Sequence, residues 1–276
     1  MNSQPLISIC IPTYNQVIHL RKLLETTLRQ KEVSFEVIVS DDSSNNEVEN
    51  LINEFNSQGK CIKYYKNSPS LGAPQNWNYA ISLAKCDYIK LMHHDQWFED
   101  DLALFKLLSK IKNDKSKFVF CAVKKHYQGK FSDLILTEKQ FSEIKQEPEK
   151  LILANLIGGP TAIMYHREAN LEYDKNIIWL VDIEFYLQLF SKGFEVEYIN
   201  EVLYSSMTDF DSLTNDNLKN SEKQLYEYSY LFNRYVKKLP YHKRISYFFG
   251  IFEILKLVIN KKSYFTQLLR LLKRVI

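Results

Sequence analysis

The chain has 276 residues, of which 45% are hydrophobic and 25% are charged, and its formal net charge is +3. Its aromatic content of 14% excludes a mainly disordered chain, and its length is sufficient for a large buried core. The seven glycines form no dinucleotide-binding fingerprint, no Walker-type phosphate loop and no nucleophile elbow, which disfavours three large classes of enzyme.

Strand and helix patterns alternate over the first 125 residues. Between the predicted strands, apolar residues recur at helical spacing over residues 20–28, 48–55, 77–84 and 104–111. This alternation predicts an α/β fold with a mostly parallel, Rossmann-like sheet and helices on both faces. The predicted strands, all short apolar runs, are Leu6–Ile11, Phe35–Ser40, Cys61–Tyr65, Tyr88–Met92 and Phe118–Val123.

The pattern is less regular after residue 125. Residues 124–157 are charged and predict a loop-and-helix excursion. A tight turn at Gly158–Pro160 and an apolar run at Thr161–Tyr165 follow, and then a helix around Ile183–Phe190 and a strand at Glu195–Ile199 are expected. We therefore predict one catalytic domain over residues 1–239. Its nucleotide-binding half covers about 1–125, its acceptor half covers about 126–239, and residues 240–276 form a helical tail.

Polar side chains follow three of the predicted strands directly. The first strand is followed by Pro12–Asn15, the second by Asp41–Ser43 and the fourth by His93–Asp95. Open parallel sheets bind their ligands at the carboxyl ends of the strands. The sequence therefore predicts that these three clusters meet in one crevice.

Four segments in the same order resemble the conserved stretches of family 2 glycosyltransferases. They are ICIPTYN at Ile9–Asn15, VIVSDDSS at Val37–Ser44, NWN at Asn76–Asn78 after Gly72, and YIKLMHHD at Tyr88–Asp95. No single segment is specific, but the ordered set over about residues 6–100 is. The resemblance implies a glycosyltransferase A-type fold and inverting transfer of a sugar from a nucleotide-diphosphate donor, a UDP-sugar, to a hydroxyl of a glycan or lipid-linked saccharide.

The resemblance also implies roles for individual residues. Asp182 matches the acid that serves as general base, with Glu184 as the second candidate, and Asp95 matches an acid that holds a divalent cation, Mn²⁺ or Mg²⁺. Turn formation at Asp41 and Asp42, and helix capping by Asp182, remain open as structural alternatives. The residues matched to donor-nucleotide binding are Pro12, Thr13, Tyr14, Asn15, Asp41, Asp42, Asn76, Asn78, His93 and His94.

One departure from the family pattern concerns the metal motif. His93 stands where the first Asp of Asp-x-Asp is expected, so Asp95 alone supplies a carboxylate there. A histidine can ligate Mn²⁺ or hydrogen-bond a phosphate. The departure leaves open a degenerate, non-catalytic sugar-nucleotide-binding protein. A sugar-phosphate nucleotidyltransferase is a further alternative, although residues 12–20 lack the Gly-rich basic loop of those enzymes.

The C-terminal segment differs in charge from the rest of the chain. Residues 240–276 contain eight basic residues and one acidic residue, a net charge of +7, whereas the rest has 28 basic and 32 acidic residues, a net charge of −4. Apolar residues at helical spacing accompany these charges, which predicts binding to an anionic membrane surface. Packing on the chain's own domain is the alternative, and no nucleic-acid partner is expected. With no secretory signal, we expect a cytoplasmic protein at the inner face of the membrane.

Overall fold

The computed structural model describes residues 5–207 and 221–258. Strands and helices alternate through these residues. The helices are α1 (Val17–Leu28), α2 (Glu47–Ser57), α3 (Gln75–Ser82), α4 (Ala103–Ile111), α5 (Glu138–Gln146), α6 (Val181–Ser191), α7 (Ser221–Arg234) and α8 (Tyr241–Val258). The strands are β1 (Ile7–Thr13), β2 (Phe35–Asp41), β3 (Ile62–Lys66), β4 (Tyr88–Leu91), β5 (Gln96–Phe98), β6 (Lys117–Tyr127), β7 (Lys130–Leu134), β8 (Ile163–His166) and β9 (Glu195–Met207).

The strands described form one sheet of nine, ordered β3-β2-β1-β4-β8-β6-β9-β5, with β7 paired to β6. The four strands from β3 to β4 are parallel. Strand β8 runs antiparallel to both β4 and β6, so β6 points in the same direction as β1. The carboxyl ends of β1, β2, β4 and β6 therefore lie along one edge of the sheet, and the predicted α/β fold is confirmed.

The apolar patterns of the first half account for its elements. All seven residues of β1 are buried, as expected of a strand covered on both faces. The apolar stripe of α2, at Val48, Leu51, Ile52 and Phe55, is buried throughout. These side chains belong to a hydrophobic core that also includes residues of the second half.

Two strands that the sequence patterns do not indicate are present. Strand β6 continues to Tyr127 and turns back into β7 through Gln128 and Gly129, whose φ angles are +50° and +74°. The hairpin end is largely exposed and polar, so it lacks the apolar run that marks a buried strand. Strand β5 pairs with β9 and has only three residues, so it is too short to show the alternation of apolar and polar residues that marks a strand.

Helices α7 and α8 pack on the second half. The buried carboxylate of Glu227 in α7 accepts hydrogen bonds from the backbone N–H groups that lead into α6, those of residues 178, 179 and 180. Helix α8 buries Tyr247, Ile251 and Leu255. The first part of the predicted tail thus packs on the domain, and residues 259–276 lie outside the described residues.

Across residues 5–207 and 221–258, no helix combines the length and the apolar character that crossing a membrane requires.

Candidate active site

The ends of β1 and β2 lie side by side. Thr13 is opposite Asp41 in the parallel register, and the Asp42 N–H donates to the Thr13 carbonyl at 3.0 Å. The Asn15 N–H donates to the Ser43 hydroxyl at 2.8 Å. The two polar turns that follow these strands are therefore joined, as the strand-end rule predicts.

The turn after β4 reaches the same place. The Met92 N–H donates to the Cys10 carbonyl at 2.9 Å, and the His94 imidazole hydrogen-bonds to the backbone of Pro12. The His93 ring lies against Trp77, with 4.5 Å between ring centroids. The three clusters predicted to meet in one crevice are thus brought together by the fold.

Asp41 is fully buried, and its two carboxylate oxygens are both bonded. Oδ1 accepts from the Ser43 N–H at 2.8 Å. Oδ2 accepts from the Tyr64 hydroxyl at 2.8 Å and from the Lys66 ammonium at 3.1 Å. Burial, and then the hydrogen bond to Asp41, raise the pKa of the Tyr64 hydroxyl, so that phenol stays protonated as a donor.

Asp42 holds the loop that follows β3. Its carboxylate accepts from the Asn67 side chain at 2.7 Å, from the Leu71 N–H at 3.1 Å and from the Gly72 N–H at 2.7 Å. Gly72 has a φ of +72°, which a residue with a side chain rarely adopts. Asp42 therefore fixes the backbone of this loop, which leads into α3.

The side chains of Asn76 and Asn78, both predicted to bind the nucleotide, hydrogen-bond within the protein. Asn76 is buried, accepts from the Ser40 hydroxyl at 2.5 Å and donates to the Ser40 carbonyl at 3.2 Å. Asn78 exchanges two hydrogen bonds of 2.8 Å with the backbone of Tyr173. These bonds tie α3 to β2 and to the segment before α6.

The two histidines are held in the neutral form. Burial, and then His94, lower the pKa of His93 to about 3; burial, and then His19, lower the pKa of His94 to about 4. Within the described part of the chain, the Nε2 atom of His93 is buried and has no hydrogen-bond partner. The His93 backbone N–H donates to the Thr161 hydroxyl at 3.2 Å. Tyr14, in the turn that follows β1, is by contrast 55% exposed.

Asp95 follows the histidines, and its backbone carbonyl accepts from the Met207 N–H at 3.1 Å. No group of three or more His, Cys, Asp or Glu side chains among residues 5–207 and 221–258 forms a cage for a metal. Mg²⁺ commonly uses one or two carboxylates together with the phosphates of a substrate. A single carboxylate at this position fits a cation that arrives with a diphosphate.

Asp182 is the second residue of α6, and Leu180 occupies the N-cap position, so Asp182 does not cap the helix. Its Oδ1 accepts from the Ile183 N–H at 2.8 Å and its Oδ2 from the Asn155 side chain at 2.7 Å. Burial raises its pKa to about 6, although these bonds and the Lys125 charge act in the opposite direction. A carboxyl group with such a pKa is suited to accept a proton near neutral pH.

Glu184 has a different environment. It is fully buried, accepts from the Tyr235 hydroxyl at 2.7 Å and from the Gln188 side chain at 2.5 Å, and lies 3.3 Å from the Arg234 guanidinium. Burial raises its pKa, and the hydrogen bonds counteract that rise. These contacts make Glu184 an anchor between α6 and α7.

The loop at residues 155–161 connects Asp182 with the end of β4. A Cβ atom placed on Gly159 would lie 3.6 Å from the Gln96 side-chain nitrogen, and the Gln96 oxygen accepts from the His93 N–H at 3.4 Å. At its other end the loop carries Asn155, which contacts Asp182. This one loop therefore touches both Asp182 and the turn that follows β4.

Sequence reasoning missed two residues near this site. Lys90 in β4 is fully buried, and its ammonium donates to the Thr161 carbonyl; burial lowers its pKa to about 8. A lone lysine inside an apolar strand was a signal that could have revealed it. Asn155 offered no such signal, because it lies in a charged, aperiodic stretch.

Comparison with known proteins places the chain among sugar-transferring enzymes. The family model described as glycosyl transferase family 2 matches residues 8–173. An uncharacterized protein of Mycobacterium tuberculosis is 26% identical over 203 residues, or 68% of this chain and 62% of that protein. The abequosyltransferase RfbV of Salmonella typhimurium is 34% identical over 105 residues, or 37% of this chain and 32% of that protein. The chain thus matches less than two thirds of the length of either relative.

Among solved structures, residues 1–349 of S. aureus TarS in complex with UDP-GlcNAc superpose with a TM-score of 0.68 at 15% identity. The match covers 98% of this chain and 80% of that chain. At this level of identity, the likeness establishes a shared fold.

Proposed function

The chain belongs to glycosyl transferase family 2, and on that premise we propose that it moves a sugar, with inversion, from a UDP-sugar to a hydroxyl of a glycan or lipid-linked saccharide. The observation that carries this proposal is the carboxyl group of Asp182, which the loop at residues 155–161 links to the turn after β4 and whose pKa is raised to about 6. A general base with a pKa near the working pH is effective at accepting a proton in the transition state.

In the proposed reaction, the acceptor hydroxyl gives its proton to Asp182 while its oxygen forms a bond to the anomeric carbon of the donor sugar. The bond between that carbon and the phosphate oxygen breaks, and its electron pair leaves with the nucleoside diphosphate. A single displacement from the opposite face inverts the configuration of the anomeric carbon. The three hydrogen bonds that the Asp182 carboxylate accepts leave a further lone pair for this proton.

The strand ends hold the donor in this proposal. Thr13 and Asp41, together with the turns at Pro12–Asn15 and Asp42, surround the nucleoside. The neutral His93 and His94 face the phosphates, and Asp95 holds a divalent cation, Mn²⁺ or Mg²⁺. When bound, that cation stabilises the negative charge that develops on the leaving diphosphate. The TarS complex with UDP-GlcNAc supports the choice of a UDP donor, because its fold matches this chain over 98% of its length.

The proposal for the acceptor, and for where the enzyme meets it, is based on the charge of the C-terminal segment. We propose that residues 240–276, with a net charge of +7, bring the enzyme to an anionic membrane surface that presents a lipid-linked saccharide. Vesicle co-sedimentation of the full chain should increase with the fraction of anionic lipid and decrease with added salt. Equal binding to neutral and anionic vesicles would contradict this location.

A thermal-shift panel of nucleotide sugars, with and without Mn²⁺, tests the donor. A ligand that binds only the folded state raises the melting temperature, so the preferred UDP-sugar should give the largest shift. Release of UDP from that sugar, and its transfer to oligosaccharide acceptors with inverted configuration, would then be measured by NMR. Binding without transfer or hydrolysis under all conditions would contradict the enzymatic proposal and favour a sugar-nucleotide-binding protein.

A further inference from the structure

The side chain of Asn155 forms a clamp between a loop and Asp182. Its Oδ1 accepts from the Gly158 N–H at 2.9 Å, and its Nδ2 donates to the Gly158 carbonyl at 2.9 Å and to the Asp182 Oδ2 at 2.7 Å. Reversing the amide would place its oxygen against a carbonyl and a carboxylate, two groups that only accept. The orientation of the amide is therefore fixed, and Asp182 faces a donor.

The backbone that Asn155 grips is itself fixed. Gly158 has a φ of +99°, and a Cβ atom there would lie 3.2 Å from the Tyr204 hydroxyl. The Gly158 carbonyl also accepts from the Tyr186 hydroxyl at 2.9 Å, and Tyr186 is fully buried. The loop therefore cannot easily shift to release the Asn155 side chain, which packs against this backbone.

Other charged or titratable groups also surround the Asp182 carboxyl. The Lys125 ammonium on β6 favours the ionised carboxylate. Tyr173, Tyr186 and Tyr204 approach from other sides, and burial raises the pKa of each phenol well above its usual value, so they remain neutral. Unlike these groups, Asn155 donates a direct side-chain hydrogen bond to the Asp182 carboxylate.

We propose that Asn155 is a positioning residue for Asp182: it fixes the rotation of the carboxylate and favours the ionised form that accepts the proton of the acceptor hydroxyl. This inference rests on the proposed function, because it assumes that Asp182 is the general base. Asn155 does not itself touch the reacting atoms in this proposal. Its effect passes through one hydrogen bond to a group otherwise destabilised by burial.

The test compares Asn155→Ala with Asn233→Ala, a matched control that removes an exposed amide hydrogen bond to the Ser229 carbonyl in α7. The pH dependence of UDP release from the preferred UDP-sugar, with water or an oligosaccharide as acceptor, is measured for both. Loss of one hydrogen bond to the ionised carboxylate should move the acidic limb of the kcat/KM profile to higher pH, by roughly one unit, in Asn155→Ala. Activity at pH 6 should therefore fall about fivefold, approach a tenfold loss at lower pH and recover at higher pH, whereas the control should keep the wild-type pH dependence.

A carbon-13 NMR titration of the Asp182 carboxyl, assigned with Asp182→Asn, measures the same shift without any turnover. If Asn155→Ala does not fold, Asn155→Ser provides a smaller polar replacement for both measurements. A loss of activity that is equal at every pH, with an unchanged carboxyl titration, would overturn the positioning role. Full activity of Asp182→Asn would instead overturn the proposed general base, so the two failures are distinguishable.

Discussion

The carboxylates beside the two halves of the sheet have different environments. In the parallel half, Asp41 and Asp42 accept three hydrogen bonds each, from donors in the β2 turn, in β3 and in the loop that follows it. Beside the mixed half, Asp182 accepts from the Asn155 side chain and from the backbone N–H groups of residues 182 and 183, and burial raises its pKa to about 6.

This difference shows that residue type and position at a strand or helix end do not by themselves decide a carboxylate's role. A carboxylate that accepts from several segments of the chain is a structural tie, because its loss leaves those donors without an acceptor. Burial that the hydrogen bonds do not offset raises the pKa of Asp182, which suits a general base. The predictions for Asp182 and Asp42 below test that contrast, and those for Asp95 and Lys90 extend it to two other buried or site-lining charges.

The largest effect is expected at Asp182. Asp182→Asn keeps the size of the side chain but removes its ability to take a proton, so turnover should fall by roughly 10²–10⁴-fold. Donor binding, measured by the thermal shift with the preferred UDP-sugar, should be retained. Wild-type turnover in this variant would show that Asp182 is not the general base. Lost donor affinity would instead assign Asp182 to the donor site.

A smaller loss of turnover is expected at Asp95. Asp95→Asn should reduce turnover on the order of 100-fold, because stabilisation of the leaving group's charge is usually a large part of catalysis. The dependence on Mn²⁺ should weaken in the same variant. An unchanged rate with unchanged metal dependence would exclude Asp95 as the ligand.

Asp42 should matter for stability more than for proton transfer. Asp42→Ala leaves the N–H groups of Leu71 and Gly72 without their acceptor, which should lower the free energy of unfolding by roughly 2 kcal/mol. Chemical denaturation measures this change, with the exposed Asp133→Ala as the matched control. Equal stability of the two variants would show that the loop does not depend on Asp42.

Lys90 should give an effect no larger than that of Asp42, seen as a dependence of stability on pH. Its folded-state pKa of about 8 lies below the ordinary 10.5, so above pH 8 the unfolded state binds more protons and stability should rise with pH. Relative to Lys90→Met, the wild type should gain about 2 kcal/mol between about pH 8 and pH 10. The exposed Lys130→Met serves as the control. Parallel profiles of stability against pH for all three proteins would show that the pKa of Lys90 is not lowered by folding.

Local patterns predicted much of the first half correctly. The apolar runs located β1 to β4 within one or two residues, and the rule for strand ends brought together Thr13, Asp41 and His94. The hairpin of β6 and β7 was not predicted, because its exposed end lacks a regular apolar pattern. The nucleotide-binding and catalytic roles of the individual residues stay predictions until the variants are measured.

The sequence by itself determined the α/β class, the order of the early elements and the family, since these depend on periodicity and on motifs that are local in the chain. Only the tertiary structure decided the state of each polar side chain. Asp42 meets Gly72 and Asp182 meets Asn155, contacts that join residues 30 and 27 positions apart. Burial and hydrogen-bond donors from such distant segments set the proton affinity of a carboxylate, and no local pattern contains that information.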